Sequence, residues 1–165
     1  MSDDVGAHTV SDRVRRVSLE TLDDVTCEAM AVFCWDDVRP LGGVASFIDQ
    51  RMEGMLSKTV ASEFFAARPF EVMQWSCEGR VGNRRLFVFG LGASSDYSSR
   101  CVIDTVKRAS DVMRRAGVLH LVFAVPACRN RPELEQRFVE VADAELHGAV
   151  ETYLTEIHHE PAALA

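Results

Sequence analysis

Short runs of consecutive apolar residues alternate along the chain with longer segments whose apolar positions recur every three or four residues. Ala29 to Trp35 reads Ala-Met-Ala-Val-Phe-Cys-Trp without a polar break, as a strand covered on both faces requires. Arg85 to Phe89, ending in Gly90-Leu91-Gly92, and Leu119 to Val125, closed by Pro126, are two more runs of this kind. Arg13 to Leu19 alternates imperfectly and predicts an edge strand. Glu71 to Cys77 alternates more regularly, and Gly79 to Asn83 predicts a turn after it, because Gly and Asn tolerate positive φ.

Between these runs the period changes to that of a helix. From Val44 onward, Phe47, Ile48, Met52, Met55, Leu56 and Val60 fall on one stripe, with Asp49, Gln50, Glu53 and Lys58 opposite. A second helix is expected over Ser98 to Ala116, with Val102, Val106, Ala109 and Met113 inward and Gly117 as its stop. Pro132 suits the first turn of a last helix. Its stripe runs through Leu134, Phe138, Val141, Ala142, Leu146, Val150 and Leu154. Buried strands alternating with amphipathic helices predict a three-layer α/β/α domain with a mainly parallel, mixed sheet. Residues 13–157 are expected to form this single domain, with residues 1–12 a flexible N-terminus and residues 158–165 a flexible tail.

Composition narrows the class. A chain of 165 residues, 47% hydrophobic and 26% charged, supplies one core and not two. The net charge of −7 opposes non-specific attraction to DNA or anionic lipid, so neither nucleic acid nor membrane is expected as a partner. The acidic start Met1-Ser2-Asp3-Asp4 is not a secretory signal, and no apolar run reaches the roughly 20 residues of a membrane span. Five scattered cysteines without Cys-x-x-Cys spacing predict reduced thiols in a cytoplasmic protein.

Two glycine-rich turns carry the candidate chemistry. Gly42 and Gly43 open a helix through Val44, where free backbone N–H groups and the helix dipole favour a phosphate. Arg39 adds positive charge there, whereas Asp36 and Asp37 oppose an anion. Gly90-Leu91-Gly92, followed by Ser94, ends a buried strand where open α/β sheets bind ligands. Ser95 stands where a third dinucleotide-type glycine would fall, and no Lys follows as in a Walker loop. For both turns the plainer alternative is a tight connection that needs small residues. His120 reads as a hydrogen-bonded core histidine or a face residue of a buried strand rather than a base, and His158-His159-Glu160 as a solvated end. Arg84, Arg85, Arg108, Arg114, Arg115, Arg129 and Arg131 suit contacts to carboxylate or phosphate, or ordinary ion pairs on solvated faces.

Several stretches in order resemble the amino-terminal domain of the leucyl (cytosol) aminopeptidase family. They are the strand Ala29 to Trp35, then Pro40-Leu41-Gly42-Gly43 and Val44 to Asp49. Leu86 to Gly92 follows, then Leu121 to Pro126, and last Gly148 to Tyr153. The resemblance spans roughly Arg13 to Tyr153. It implies a macro-domain-like fold that flanks a catalytic core in a hexamer, hence a protein-association or regulatory module with a protein partner or a homo-oligomer. The family's metal-binding segment is Asp-Ala-Glu-Gly-Arg. Here Asp143-Ala144-Glu145 continues as Leu146-His147-Gly148, and the only lysines are Lys58 and Lys107. The expectation is therefore no catalytic residue, no metal, no cofactor and no peptidase activity, the polypeptide stopping where the metal-bearing half of its relatives begins.

Macro domains, similar in fold, often bind ADP-ribose. Glu28 to Val32 followed by Leu41 to Ala45 looks like their strand, Gly-rich turn and helix, with Phe33 or Asp36 in place of the loop Asn. The alternative this implies is binding or hydrolysis of ADP-ribose or a related nucleotide by Asp36, Arg39, Gly42, Gly43, Val44, Gly90, Gly92 and Ser94. A third reading is nucleic-acid contact through the arginines.

Overall fold

The computed structural model describes residues 9–77, 79–146 and 148–156. Six strands form one sheet: β1 (Val14–Val17), β2 (Cys27–Trp35), β3 (Val72–Ser76), β4 (Asn83–Gly92), β5 (Leu121–Ala124) and β6 (Val150–Glu156). Their order is β1-β6-β5-β2-β4-β3. Every neighbouring pair is parallel except β3 on β4, which is antiparallel. Four α-helices complete the described chain: α1 (Gly43–Arg51), α2 (Met55–Ala61), α3 (Ser99–Arg115) and α4 (Pro132–Leu146).

Alternation along the central strands decides which helices cover which face. Ala29, Ala31, Phe33 and Trp35 of β2 point to one side with Phe87 and Phe89 of β4 and Phe123 of β5. There Val102, Val106, Ala109 and Met113 of α3 and Leu134 and Phe138 of α4 pack on them. Met30, Val32 and Cys34 point the other way with Leu86, Val88 and Val122, against Val44 and Ile48 of α1 and Leu56 and Val60 of α2. The first layer is aromatic at its centre: Phe33 lies 4.9 Å from Phe123 and 5.4 Å from Phe89, centroid to centroid. The architecture is the three-layer α/β/α sandwich that the period changes predict, and no helix among the described residues is long and apolar enough to cross a membrane.

The structure differs from the sequence reading at three places. The single helix expected from Val44 to Val60 is two, because Glu53 and Gly54 adopt φ of 58° and 78° and break it. The last helix ends at Leu146; Val150 and Leu154, expected on its stripe, belong to β6, and Gly148 turns the chain at φ 82°. His120, expected within a buried strand as a core or face residue, lies outside it. It precedes β5, is exposed, and its Nδ1 lies 2.8 Å from Glu151. At the start, Val10–Arg13 forms a 3-10 turn held by Thr9 and Asp12, and Arg13 bonds the Val150 carbonyl and Asp143. Of the flexible N-terminus expected over residues 1–12, residues 1–8 lie outside the described residues, as does the flexible tail expected over 158–165.

Gly90 and Gly92 have a packing reason. A Cβ on Gly90 would run into the Ala67 and Arg68 backbone, and one on Gly92, at φ 78°, would come within 2.8 Å of Pro69. Backbone bonds hold this crossing, with the Gly90 N–H donating to Glu71 O and the Gly92 N–H to Ala67 O, both at 2.9 Å. Gly117, by contrast, is a positive-φ helix stop with open space around it. Gly90→Ala is therefore expected to cost about 3 kcal/mol or more through overpacking. Gly117→Ala should cost about 1 kcal/mol through backbone conformation alone. Urea unfolding of the two variants checks the ranking.

Candidate functional site

At the carboxyl ends of the parallel strands, the loops after β2, β4 and β5 and the end of β6 surround one cleft of about 1100 Å³. Open α/β sheets bind ligands at this end, because the strand ends present unpaired backbone groups and helix N-termini. The floor is Phe33, Cys34 and Trp35 from the end of β2. One wall is Arg39 to Gly43, and the facing wall is the loop Ala127–Arg131 that leads into α4. Ser94 and Ser95 form part of the rim, and Glu135 and Glu156 bring two carboxylates to the lining.

The N-terminus of α1 opens into this cleft. Gly42 is its N-cap with extended backbone, and no side chain caps the helix. A Cβ built on Gly42 meets nothing within 4 Å. Gly43 is different: it sits at φ 62°, and a Cβ there would come within 2.8 Å of the Ala127 Cβ. Gly43 lets α1 approach the β5–α4 loop closely, and Gly42 leaves the helix end accessible.

The remaining expected ligand residues divide. Arg39 lines the cleft, and its Nη1 donates to the Trp35 and Val38 carbonyls at 2.9 and 2.7 Å. Ser94 lines it too, but its N–H and Oγ both reach the Asp37 carboxylate at 3.0 Å. Asp36 is exposed outside the lining, with its N–H on Gly92 O. Val44 is buried against the α1 side of the sheet. Gly90 and Gly92 lie outside the lining at the crossing of residues 67–69.

Sequence reasoning passed over Glu135 and Glu156, and it named Arg129 and Arg131 only among the arginines at large, without placing the Ala127–Arg131 loop at the cleft. The signal was present: a strand ending in Pro126, then Arg129, Asn130, Arg131 and Pro132 before a helix, is a strand-end loop of the kind that lines ligand clefts. Reading β6 as helix hid Glu156. Arg131 braces the rim by donating to the Ser94 and Tyr97 carbonyls, and Glu135 accepts the Cys128 N–H at 3.0 Å.

Electrostatics separate groups able to react from those that are not. Burial pushes the Cys34 and Cys128 thiols up to about 12, so both are neutral near pH 7 and poor nucleophiles. Burial also raises the Tyr97 phenol, whose hydroxyl meets Thr105 Oγ1 at 2.6 Å. The Ser94 N–H lowers Asp37 below the usual carboxylate range. Elsewhere, several arginines singled out in the sequence make ordinary contacts. Arg85 reaches Ala116 O, Arg108 reaches Phe70 O, and Arg114 and Arg115 pair with Asp111. Asp143 of the Asp-Ala-Glu triplet pairs with Arg13.

No protein-family model and no curated protein sequence matches the chain. Solved structures do. A mutant of tomato leucine aminopeptidase is similar at TM-score 0.64 and 12% identity, over 90% of this chain and 32% of that one. The macrodomain of Mycobacterium tuberculosis DarG is similar at TM-score 0.61 and 13% identity, over 86% and 97%. A macrodomain mutant from Oceanobacillus iheyensis is similar at TM-score 0.63 and 11% identity, over 93% and 88%. The chain spans about a third of the aminopeptidase and nearly the whole DarG macrodomain. At these identities the likeness shows a macro-domain-like fold that a leucine aminopeptidase also contains.

Asp37 gives this site a pH signature. Its folded pKa lies below the unfolded value of about 3.9, so its contribution is fully present above that value and is lost as pH falls through the folded one. Wild-type stability should decline more steeply than that of Asp37→Asn below about pH 4. Urea midpoints measured against pH check this; parallel curves for the two proteins would contradict it.

Proposed function

We propose that the cleft binds a phosphorylated, nucleotide-type ligand of the ADP-ribose class. The observation that carries this reading is the accessible, uncapped N-terminus of α1 at Gly42, opening into a cleft of about 1100 Å³. Ligand clefts run up to about 1,000 Å³, and this one, slightly larger, leaves room for an extended nucleotide. The first-turn N–H groups of α1 would receive phosphate oxygens, with the positive end of the helix dipole behind them. Arg39 and Arg129, both in the lining, would add charge. Glu135 and Glu156 would accept hydrogen bonds from ligand hydroxyl or amino groups. The likeness to macrodomains supports the same reading.

A second reading has its own observation, the likeness to tomato leucine aminopeptidase over a third of that chain. In it the domain is a non-catalytic association or regulatory module without peptidase activity. A cytoplasmic setting fits both readings, since all five cysteines are free. Assay of leucyl-amide hydrolysis with added manganese or zinc is expected to show no chelator-sensitive turnover, and such turnover would contradict this second reading.

Calorimetric titration with ADP-ribose tests the first. Micromolar binding is expected. Gly42→Glu should abolish it, because the position has room for the side chain and the new carboxylate would occupy the anion site. Arg39→Ala should weaken it roughly tenfold, the worth of one charge-assisted hydrogen bond. Absence of heat with millimolar ADP-ribose would overturn the proposal.

A further inference from the structure

The charges that line the cleft are not evenly mixed. Glu135 of α4 and Glu156 at the end of β6 border a niche of about 20 Å³, together with Gly43, Val125, Ala127 and Thr155. A hollow of that size takes roughly one water or one hydroxyl, and no ring. Gly43, Ala127, Glu135 and Glu156 line the main cleft as well, so the niche is a recess of it. Gly43 is the first residue of α1, which sets the recess beside the helix end at Gly42.

Both carboxylates keep accepting capacity. Glu135 uses one oxygen, Oε1, on the Cys128 N–H. Glu156 is half-buried and makes no hydrogen bond or ion pair among the described residues. The walls carry the opposite sign. Arg39 and Arg131 bond to backbone carbonyls, which do not cancel their charge, and Arg129 lines the cleft with them.

We propose that Glu135 and Glu156 determine specificity at this recess, accepting the hydroxyls of an uncharged sugar and turning away a further phosphate. The inference rests on the nucleotide reading of the cleft. Ionised carboxylates only accept hydrogen bonds, and hydroxyl donors to them make short, strong ones. A phosphate there would bring a like charge against two carboxylates, which is the repulsive half of specificity. A cationic group would meet the three arginines of the walls, and a base is too large for the recess. The ligand is thereby given a direction. Its pyrophosphate lies on the start of α1, its sugar hydroxyls reach the recess, and its base points away.

ADP is the common core for the test, because ribose added to its terminal phosphate gives ADP-ribose and phosphate added there gives ATP. In calorimetric titrations with a chelator present, ADP-ribose should bind roughly tenfold or more tighter than ADP, as a hydrogen bond to a charged group is worth. ATP should bind more weakly than ADP. Glu156→Gln should weaken ADP-ribose and strengthen ATP, opposite changes that general damage to the fold does not produce. Glu135→Gln, whose amide oxygen can still accept the Cys128 N–H, should shift the two ligands in the same directions. ATP binding as tightly as ADP-ribose, or variants that weaken both ligands alike, would overturn this inference and leave the nucleotide reading standing. No heat from ADP-ribose overturns both.

Discussion

The close approach of Gly43 to Ala127 sets the geometry on which the functional end of the molecule depends. Gly43 adopts φ 62°, and any side chain there would meet the Ala127 Cβ at 2.8 Å. The Trp35 indole fixes the same point from below, with Nε1 donating to the Ala127 carbonyl at 3.0 Å. The end of β2, the start of α1 and the loop before α4 are thereby fastened to one another. Because the fastening involves a glycine and an alanine methyl, it brings two walls together without filling the space between them.

A polar brace completes the rim. The Asp37 carboxylate holds Ser94 by both N–H and hydroxyl, and the Arg131 guanidinium holds the carbonyls of Ser94 and Tyr97. The loops after β2, β4 and β5 are thus tied to each other by groups that would otherwise be candidates for the ligand. What remains for a ligand is the uncapped start of α1, the unengaged donors of the arginines, and Glu135 and Glu156. Arginines that carry structural bonds are still charged, so the brace and an anion site are compatible.

The layers were legible because each central strand is buried on both faces and each helix on one. Ala29 to Trp35, Leu86 to Phe89 and Leu121 to Ala124 had no reading other than buried strand once helices flanked them. Where the reading failed, the apolar period carried across a break. Leu146, Val150 and Leu154 are spaced by four, as on a helix, yet Gly148 turns the chain between the first and second. Met52, Leu56 and Val60 likewise continue a stripe across the Glu53–Gly54 break. In both cases a positive φ ended the helix, and periodicity does not record it. Strand order was not in the sequence either, because neighbours such as β1 and β6 are far apart in the chain. The site was half legible for a related reason. Glycines flag unusual backbone, but not whether a ligand or a neighbouring chain requires it. Gly42 faces open space, whereas Gly90 faces the Ala67–Arg68 backbone.

Backbone amide chemical shifts recorded while ADP-ribose is added measure the central claim most directly, because they report position as well as binding. The account predicts perturbations concentrated at Gly42 to Ala45 and Ala127 to Arg131, the two walls of the cleft. Perturbations confined to other surfaces, or none at millimolar nucleotide, would contradict it.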